Sequence, residues 1–294
     1  MKRRSLLGYA CLFLASCTTT QTNGSGSNPS VNRPETLRFA VTDVSGEDDL
    51  EKDFGAFRQA LEDVLEIPVE FYPVDDYLAA APALLSGEID IAMAGPSEYL
   101  LLRGRAEVVP IVGVTRPDYY TLIVTRADSD VKTLSDLKGK TIAMVSLGAT
   151  AGHISPMKML MDAGLAAKGD VEIVMLGREG GLPALLNGEV DAWAAISTVY
   201  NTAVSEAQAE QLVVLEEGEN LPPDVFVANP SLGDAFINEI RSKILANQTD
   251  LMIALTASEA NQKYLDSELV AADDADYQTL RETYSALGQG SAIE

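Results

Sequence analysis

The segment Gly148-Ala149-Thr150-Ala151-Gly152-His153 holds the residues best suited to chemistry in this 294-residue chain. It follows Thr141–Val145, a short β-branched apolar run that reads as a buried strand, and precedes Ile154–Ala163, where Ile154, Met157, Met161 and Ala163 recur at roughly helical spacing. A strand feeding a small-residue turn and then a helix leaves the first helical N–H groups unpaired. With the positive end of the helix dipole they form a site for an anion. Small side chains let an oxyanion approach the amides, and Thr150 adds one hydroxyl. Taken alone, the segment also fits an ordinary β–α turn that happens to contain glycine.

The N-terminus indicates where such an anion would be met. Lys2-Arg3-Arg4 is a basic start, Leu6–Leu14 is apolar, and Leu14-Ala15-Ser16-Cys17 has the form of a lipoprotein processing site. The apolar run is short for a permanent membrane span, and an uncleaved signal anchor is the alternative reading. Residues 1–16 are thus expected to be a signal peptide. Residues 17–34 are expected to be a flexible linker anchored by lipid on Cys17. The polar stretch Thr18–Pro34 would reach roughly 20–25 Å as a flexible coil. Cys11 and Cys17 are the two cysteines, so the processed body would hold no disulfide and must stand on its core.

Removal of the leader takes away three basic residues and no acidic ones, moving the formal charge from −23 to −26. A body this acidic is a poor partner for nucleic acid or an anionic lipid surface. It can bind an anion only through local donors, which points to a buried cleft. The pairs Asp48-Asp49, Asp75-Asp76 and Asp273-Asp274 read as solvated surface rather than metal ligands, and neither metal nor other cofactor is expected.

Elements that would position the turn alternate along the body. Strand-like runs fall at Leu37–Val41, Val69–Tyr72, Ile89–Ala94, Val108–Val114, Leu122–Thr125, Thr141–Val145, Val171–Met175, Val190–Ile196, Leu212–Leu215 and Val225–Ala228. Helical patterns lie between most of them, for example Phe54, Phe57, Leu61, Val64 and Leu65. This is an α/β pattern, and its length suits two lobes. An internal echo supports the pair: Leu84-Leu85-Ser86-Gly87-Glu88-Ile89-Asp90 returns as Leu185-Leu186-Asn187-Gly188-Glu189-Val190-Asp191. Each copy ends a helix at a glycine suited to the left-handed cap and enters a strand two residues on.

Read together, these stretches resemble the PhnD-like substrate-binding proteins of phosphonate, phosphite and phosphate ABC transporters. The resemblance is carried by Gly87–Tyr99, by Tyr119–Val124, by Leu134–Thr141 running into Gly148–Pro156, and by Leu221–Val227. It implies a two-lobed type II periplasmic-binding-protein fold, each lobe a mixed, mostly parallel sheet covered by helices. Residues 35–118 and 225–294 would build the first lobe and 119–224 the second. The ligand would be a small phosphorus oxyanion held between the lobes and delivered to a permease. The protein would be exported, anchored through its N-terminal lipid and monomeric.

Departures from the family pattern bear on specificity. The usual turn is similar to Ser-Thr-Ser-Gly; here Ala149-Thr150-Ala151-Gly152 keeps one hydroxyl of three. Arg178 stands where relatives often carry a histidine, and Thr198 stands approximately where some carry an acid for an ammonium group. The resemblance implies that Asp224 is a cleft acid, which as an acceptor would favour ligands bearing an O–H and disfavour sulfate. Arg178 is equally readable as a surface residue paired with Glu179, and Asp224 as a cap. His153, Ser97, Tyr99 and Tyr120 complete the candidate ligand set. His153 and the tyrosines also have a packing reading, and Trp193 reads as core of the second sheet.

A hydrolase would need a nucleophile–base pair or metal ligands. One histidine and no mature cysteine leave little for that, and no catalytic residue is assigned. An interaction or sensing lipoprotein that keeps the fold is the other alternative.

Overall fold

The computed structural model describes residues 33–293 apart from 45, 75–76 and 167–168, with only the backbone of 77–78. The expected signal peptide, Cys17 and nearly all of the linker lie outside the described residues.

The chain first lays down β1 (Leu37–Val41), α1 (Glu47–Leu65), β2 (Val69–Phe71), α2 (Tyr77–Leu85), β3 (Ile91–Ala94), α3 (Pro96–Ala106) and β4 (Val109–Val114). It crosses to β5 (Thr121–Arg126), β6 (Thr141–Met144), a helical turn at Thr150–Ile154 continuing as α4 (Ser155–Asp162), β7 (Glu172–Met175), α5 (Gly177–Leu186), β8 (Ala192–Ile196), α6 (Ser197–Ala203), α7 (Glu206–Ala209) and β9 (Leu212–Glu217). It then returns through β10 (Asp224–Ala228), α8 (Asp234–Ala246), α9 (Gln248–Leu255), β11 (Leu269–Ala271) and α10 (Gln278–Ala286).

Two sheets result, ordered β11-β4-β10-β3-β1-β2 and β7-β6-β8-β5-β9. The two-lobed α/β expectation stands, but parallel pairing does not dominate. In the first sheet β1 runs parallel to β2 and β3, while β10 lies antiparallel to β3 and β4, and β11 to β4. In the second, β6 is parallel to β7 and β8, while β5 is antiparallel to β8 and β9. The cause is the double crossing: β5 and β10 each enter their sheet from the other lobe and so run against the strand they join. The edge strand β11 is an element the sequence pattern missed, since three residues show no period.

The α1 helix shows how the layers form. Gly46 precedes three acids, Glu47, Asp48 and Asp49, which favour a helix N-terminus, and Glu66 ends it in the left-handed conformation at φ 59°. Leu50, Phe54, Phe57, Leu61 and Leu65 fall on one buried stripe against Phe39, Phe226 and Ile240 of the first core. Each such side chain contributes about 1.5–3 kcal/mol on burial.

The internal echo is a structural repeat. Gly87 and Gly188 hold φ of 74° and 73°, which only glycine adopts cheaply. Downstream, Asp90 donates its N–H to the Arg38 carbonyl at 3.0 Å and accepts the Arg38 N–H at 2.8 Å. Asp191 makes the same two bonds with Thr141, both at 2.9 Å. Each lobe thus uses one aspartate to pin the start of the first strand of its parallel group, β1 in one sheet and β6 in the other.

Candidate functional site

The chain leaves β6 through a turn at Leu147-Gly148, as expected, and the later residues of the segment already form the helix's own first turn. Thr150–Ile154 is wound as a π-turn, with the N–H groups of both His153 and Ile154 donating to the Ala149 carbonyl at 2.9 Å. Pro156 explains the geometry. It has no N–H for the Gly152 carbonyl, and that oxygen instead accepts from Val145 N–H at 3.0 Å. The helix start is thereby tied to the end of β6. Gly152 must be glycine, because an added Cβ would lie 2.5 Å from Val145 side-chain carbons. Thr121 donates its hydroxyl to the Ala151 carbonyl at 2.7 Å. The N–H groups of Thr150, Ala151 and Gly152, as the first of the helix, find no acceptor within it.

These residues form one wall of a cleft of about 310 Å³ between the sheets. Strand ends supply much of the rest: Thr42 and Asp43 after β1, Met93–Gly95 at the end of β3, Val145–Leu147 after β6, Ile196 of β8 and Asp224 of β10. This is the carboxyl edge of the parallel strands in both sheets, where open α/β folds bind ligands. A larger cavity of about 670 Å³ lies between α4, α10 and the return crossing, and is lined by Asp162, Glu216, Glu217, Asp276 and Glu282. Its carboxylates make it a poor place for an anion.

Arg116, on the first crossing, forms the floor of the smaller cleft with Asp224 from the second. The Arg116 Nη1 group donates to Asp224 Oδ1 and Oδ2 at 3.5 and 3.4 Å, and the Tyr264 hydroxyl donates to Oδ2 at 2.6 Å. The guanidinium stacks on Tyr119 at 3.5 Å from the ring centroid. Its Nε and Nη2 are buried with no hydrogen-bond partner among the described residues. Burial opposes its charge most, but Asp224, Tyr119 and Tyr264 together outweigh it and raise the Arg116 pKa. At the rim, Arg178 of α5 reaches Asp43 at 4.0 Å and Lys263 reaches the same oxygen at 3.2 Å. Burial works to raise the Asp43 carboxyl, yet Lys263 and Arg178 hold it below the ordinary value.

The structure therefore brings Ala149, Thr150, Ala151, Gly152, Arg178 and Asp224 to one cleft. Arg178 faces Asp43 across that cleft rather than Glu179. Four expected contributors are placed elsewhere. Tyr99 is fully buried in the first lobe, its ring 4.4 Å from that of Tyr277 and its hydroxyl on Asp274. Tyr120 packs on the second lobe's core, and its neighbour Tyr119 takes the cleft position, because successive side chains of an extended segment point opposite ways. His153 turns inward and its Nδ1 accepts the Gly148 N–H at 3.1 Å. Burial lowers its pKa, which leaves a neutral ring. Ser97 is buried, and its N–H, not its hydroxyl, meets the second lobe by donating to Thr150 Oγ1 at 3.1 Å. Ile196 rather than Thr198 reaches the cleft from its strand end.

Sequence reasoning missed Thr42, Asp43, Glu98, Arg116, Lys263 and Tyr264. The repeat offered a signal for Thr42 and Asp43, since they follow β1 as Val145 and Ser146 follow β6. Lys263 carried none, being 220 residues from its partner Asp43. Among the described residues no group of three or more His, Cys, Asp or Glu could hold a metal, and no helix is long and apolar enough to cross a membrane.

Residues 39–277 match the family described as "ABC transporter, phosphonate, periplasmic substrate-binding protein". The phosphate-import protein PhnD of Mycolicibacterium smegmatis is 25% identical over 284 residues, covering 90% of this chain and 85% of the relative. Among solved structures, XAC2383 of Xanthomonas citri, bound to ATP, superposes with a TM-score of 0.73 at 17% identity over 88% of this chain and 98% of the other. PhnD1 of Prochlorococcus marinus, in complex with methylphosphonate, gives 0.67 at 19% identity over 87% and 100%. At those identities the structural likeness speaks for the fold.

Proposed function

We propose that this chain, which belongs to the periplasmic substrate-binding proteins of phosphonate ABC transporters, captures a tetrahedral phosphorus oxyanion in the cleft between its lobes and delivers it to a permease. The carrying observation is Arg116, which lines the same cleft as Thr150–Gly152 and holds two buried guanidinium nitrogens without a partner among the described residues. A buried donor without a partner is costly, and an oxyanion satisfies both nitrogens at once. Arg178 adds positive charge at the rim. Relatives named for phosphate import and seen with methylphosphonate support the ligand class: phosphonate, phosphite or phosphate.

Capture without turnover accords with the family, whose members are substrate-binding proteins. Residues 35–118 with 225–294 act as one lobe and 119–224 as the other, closing on the ligand as a monomer. Residues 1–16 direct export, and 17–34 tether the body to the envelope membrane through lipid on Cys17, facing the periplasm or the exterior. Cys17→Ala should leave the protein soluble; an unmodified native N-terminus by mass spectrometry would remove the anchor.

Titration calorimetry and thermal shift with phosphate, phosphite, methylphosphonate and sulfate test the assignment. A phosphorus oxyanion should bind and raise the melting temperature, since ligand that binds only the folded state stabilises by RT ln(1 + [L]/Kd). Arg116→Met should abolish the shift. Failure of all four anions to bind would overturn the reading.

A further inference from the structure

Two carboxylates beside the anion-binding amides stand in opposite situations. Asp224 is occupied, with Arg116 on both oxygens and the Tyr264 hydroxyl on one. Glu98, at the start of α3, has no cation within ion-pair distance among the described residues. The three cleft cations are directed elsewhere: Arg116 to Asp224, Arg178 and Lys263 to Asp43. One Glu98 oxygen, Oε2, takes the Thr42 hydroxyl and the Gly95 N–H, the latter at 2.8 Å. No donor from the described residues holds the other, and the residue lines the cleft. An ionised carboxylate is acceptor-only, as is a fully deprotonated oxyanion, so the two cannot meet without a proton between them.

We propose that Glu98 is the residue by which the cleft reads the ligand's protonation: it shares one proton with an oxygen of the bound oxyanion. A ligand that carries an O–H brings that proton. A ligand without one requires Glu98 Oε1 to take a proton from solvent buffer, and binds more weakly as pH rises. This rests on the oxyanion reading of the cleft and moves the discrimination against sulfate from Asp224 to Glu98.

The surrounding charges agree. Burial raises the Glu98 pKa, and Asp43 adds to it. Lining the cleft with Glu98 are Asp43 after β1, Arg116 and Tyr119 on the first crossing, Arg178 on α5, Asp224 on β10, and Lys263 and Tyr264 before β11. Asp43 is held low, and burial pushes the Tyr119 and Tyr264 hydroxyls up. Neutral Glu98 therefore costs less than neutral Asp43, and no tyrosine here is a ready proton source.

The test is titration calorimetry of the native protein with phosphate and with sulfate, in mildly alkaline buffers of differing ionisation enthalpy, where phosphate remains monohydrogen. Sulfate should take up about one proton per site and lose about tenfold in affinity per pH unit, while phosphate takes up almost none. Glu98→Gln supplies an amide donor; it should end the proton uptake and narrow the phosphate-to-sulfate ratio at least about tenfold. If native sulfate binding is too weak to titrate, the same variant should bring it into range. Asp224→Asn should shift both anions alike. Proton uptake that persists in Glu98→Gln, or a ratio that narrows with Asp224→Asn and not with Glu98→Gln, would overturn the assignment while leaving the oxyanion site standing. Binding of neither anion nor methylphosphonate by the native protein would instead remove the site itself.

Discussion

The N–H of Ser97 donates to the hydroxyl oxygen of Thr150 at 3.1 Å, so a residue of the first sheet's α3 is bonded to the helical turn that follows β6 of the second. Both residues are buried. Pro96, as the first residue of α3, has no N–H, which makes the Ser97 amide the first free donor of that helix. The bond uses a lone pair of Thr150 and leaves its hydrogen for a ligand. One side chain thus joins the lobes and faces the cleft.

Thr150→Val keeps the shape and removes both capacities. Losing a hydrogen bond to a charged ligand costs about 1.5–3 kcal/mol, so phosphate affinity should fall roughly ten- to hundredfold, and Thr150→Ser should restore most of it. Unchanged affinity by calorimetry would place the ligand elsewhere.

Arg116 and Asp224 should separate stability from binding. Arg116→Met strands a buried carboxylate and should cost about 3–5 kcal/mol in a denaturant melt. The pair is long, at 3.4 Å, which favours the lower end. Arg116→Met combined with Asp224→Asn removes the stranded charge and should recover most of that stability without recovering anion binding. A double variant that binds phosphate normally would exclude Arg116 from the site.

Arg178 acts from a half-exposed position, with its partner Asp43 4.0 Å away. Its removal should change stability by no more than about 1 kcal/mol. Arg178→Ala should weaken phosphate and sulfate alike by a few-fold, and more at low salt, since exposed charges are screened. Affinity that stays intact in calorimetry at low ionic strength would make Arg178 an ordinary surface arginine.

His153 makes the fold sensitive to mild acid. Burial sets its folded pKa below the ordinary value of 6.5, so the unfolded chain binds the proton more readily. Its contribution is complete above that ordinary value and is lost as pH falls through it toward the lowered folded pKa. Urea midpoints should drop as pH falls below about 6.5. His153→Asn keeps an acceptor for the Gly148 amide and should flatten that drop; an equal drop in both proteins would assign the acid sensitivity to other groups.

Sequence alone determined what short-range physics governs. Gly87 and Gly188 specify left-handed caps. The run Thr141–Pro156 specifies a strand, a close turn and a helix start, because steric freedom, missing N–H groups and unpaired amides act over a few residues. The division into two lobes was legible from the repeat of that local corner and from the family resemblance. Tertiary structure decided which charges meet and which faces look inward. Asp43, Glu98, Arg116 and Lys263 converge from distant segments, so no local period marks them. Tyr119 faces the cleft and Tyr120 does not, although both are tyrosines on one extended segment, because the packing of the crossing against the second core selects the face. Strand direction was decided in the same way: β5 and β10 run against their neighbours because the chain enters each sheet from the other lobe, a constraint of topology that no stretch of residues carries by itself.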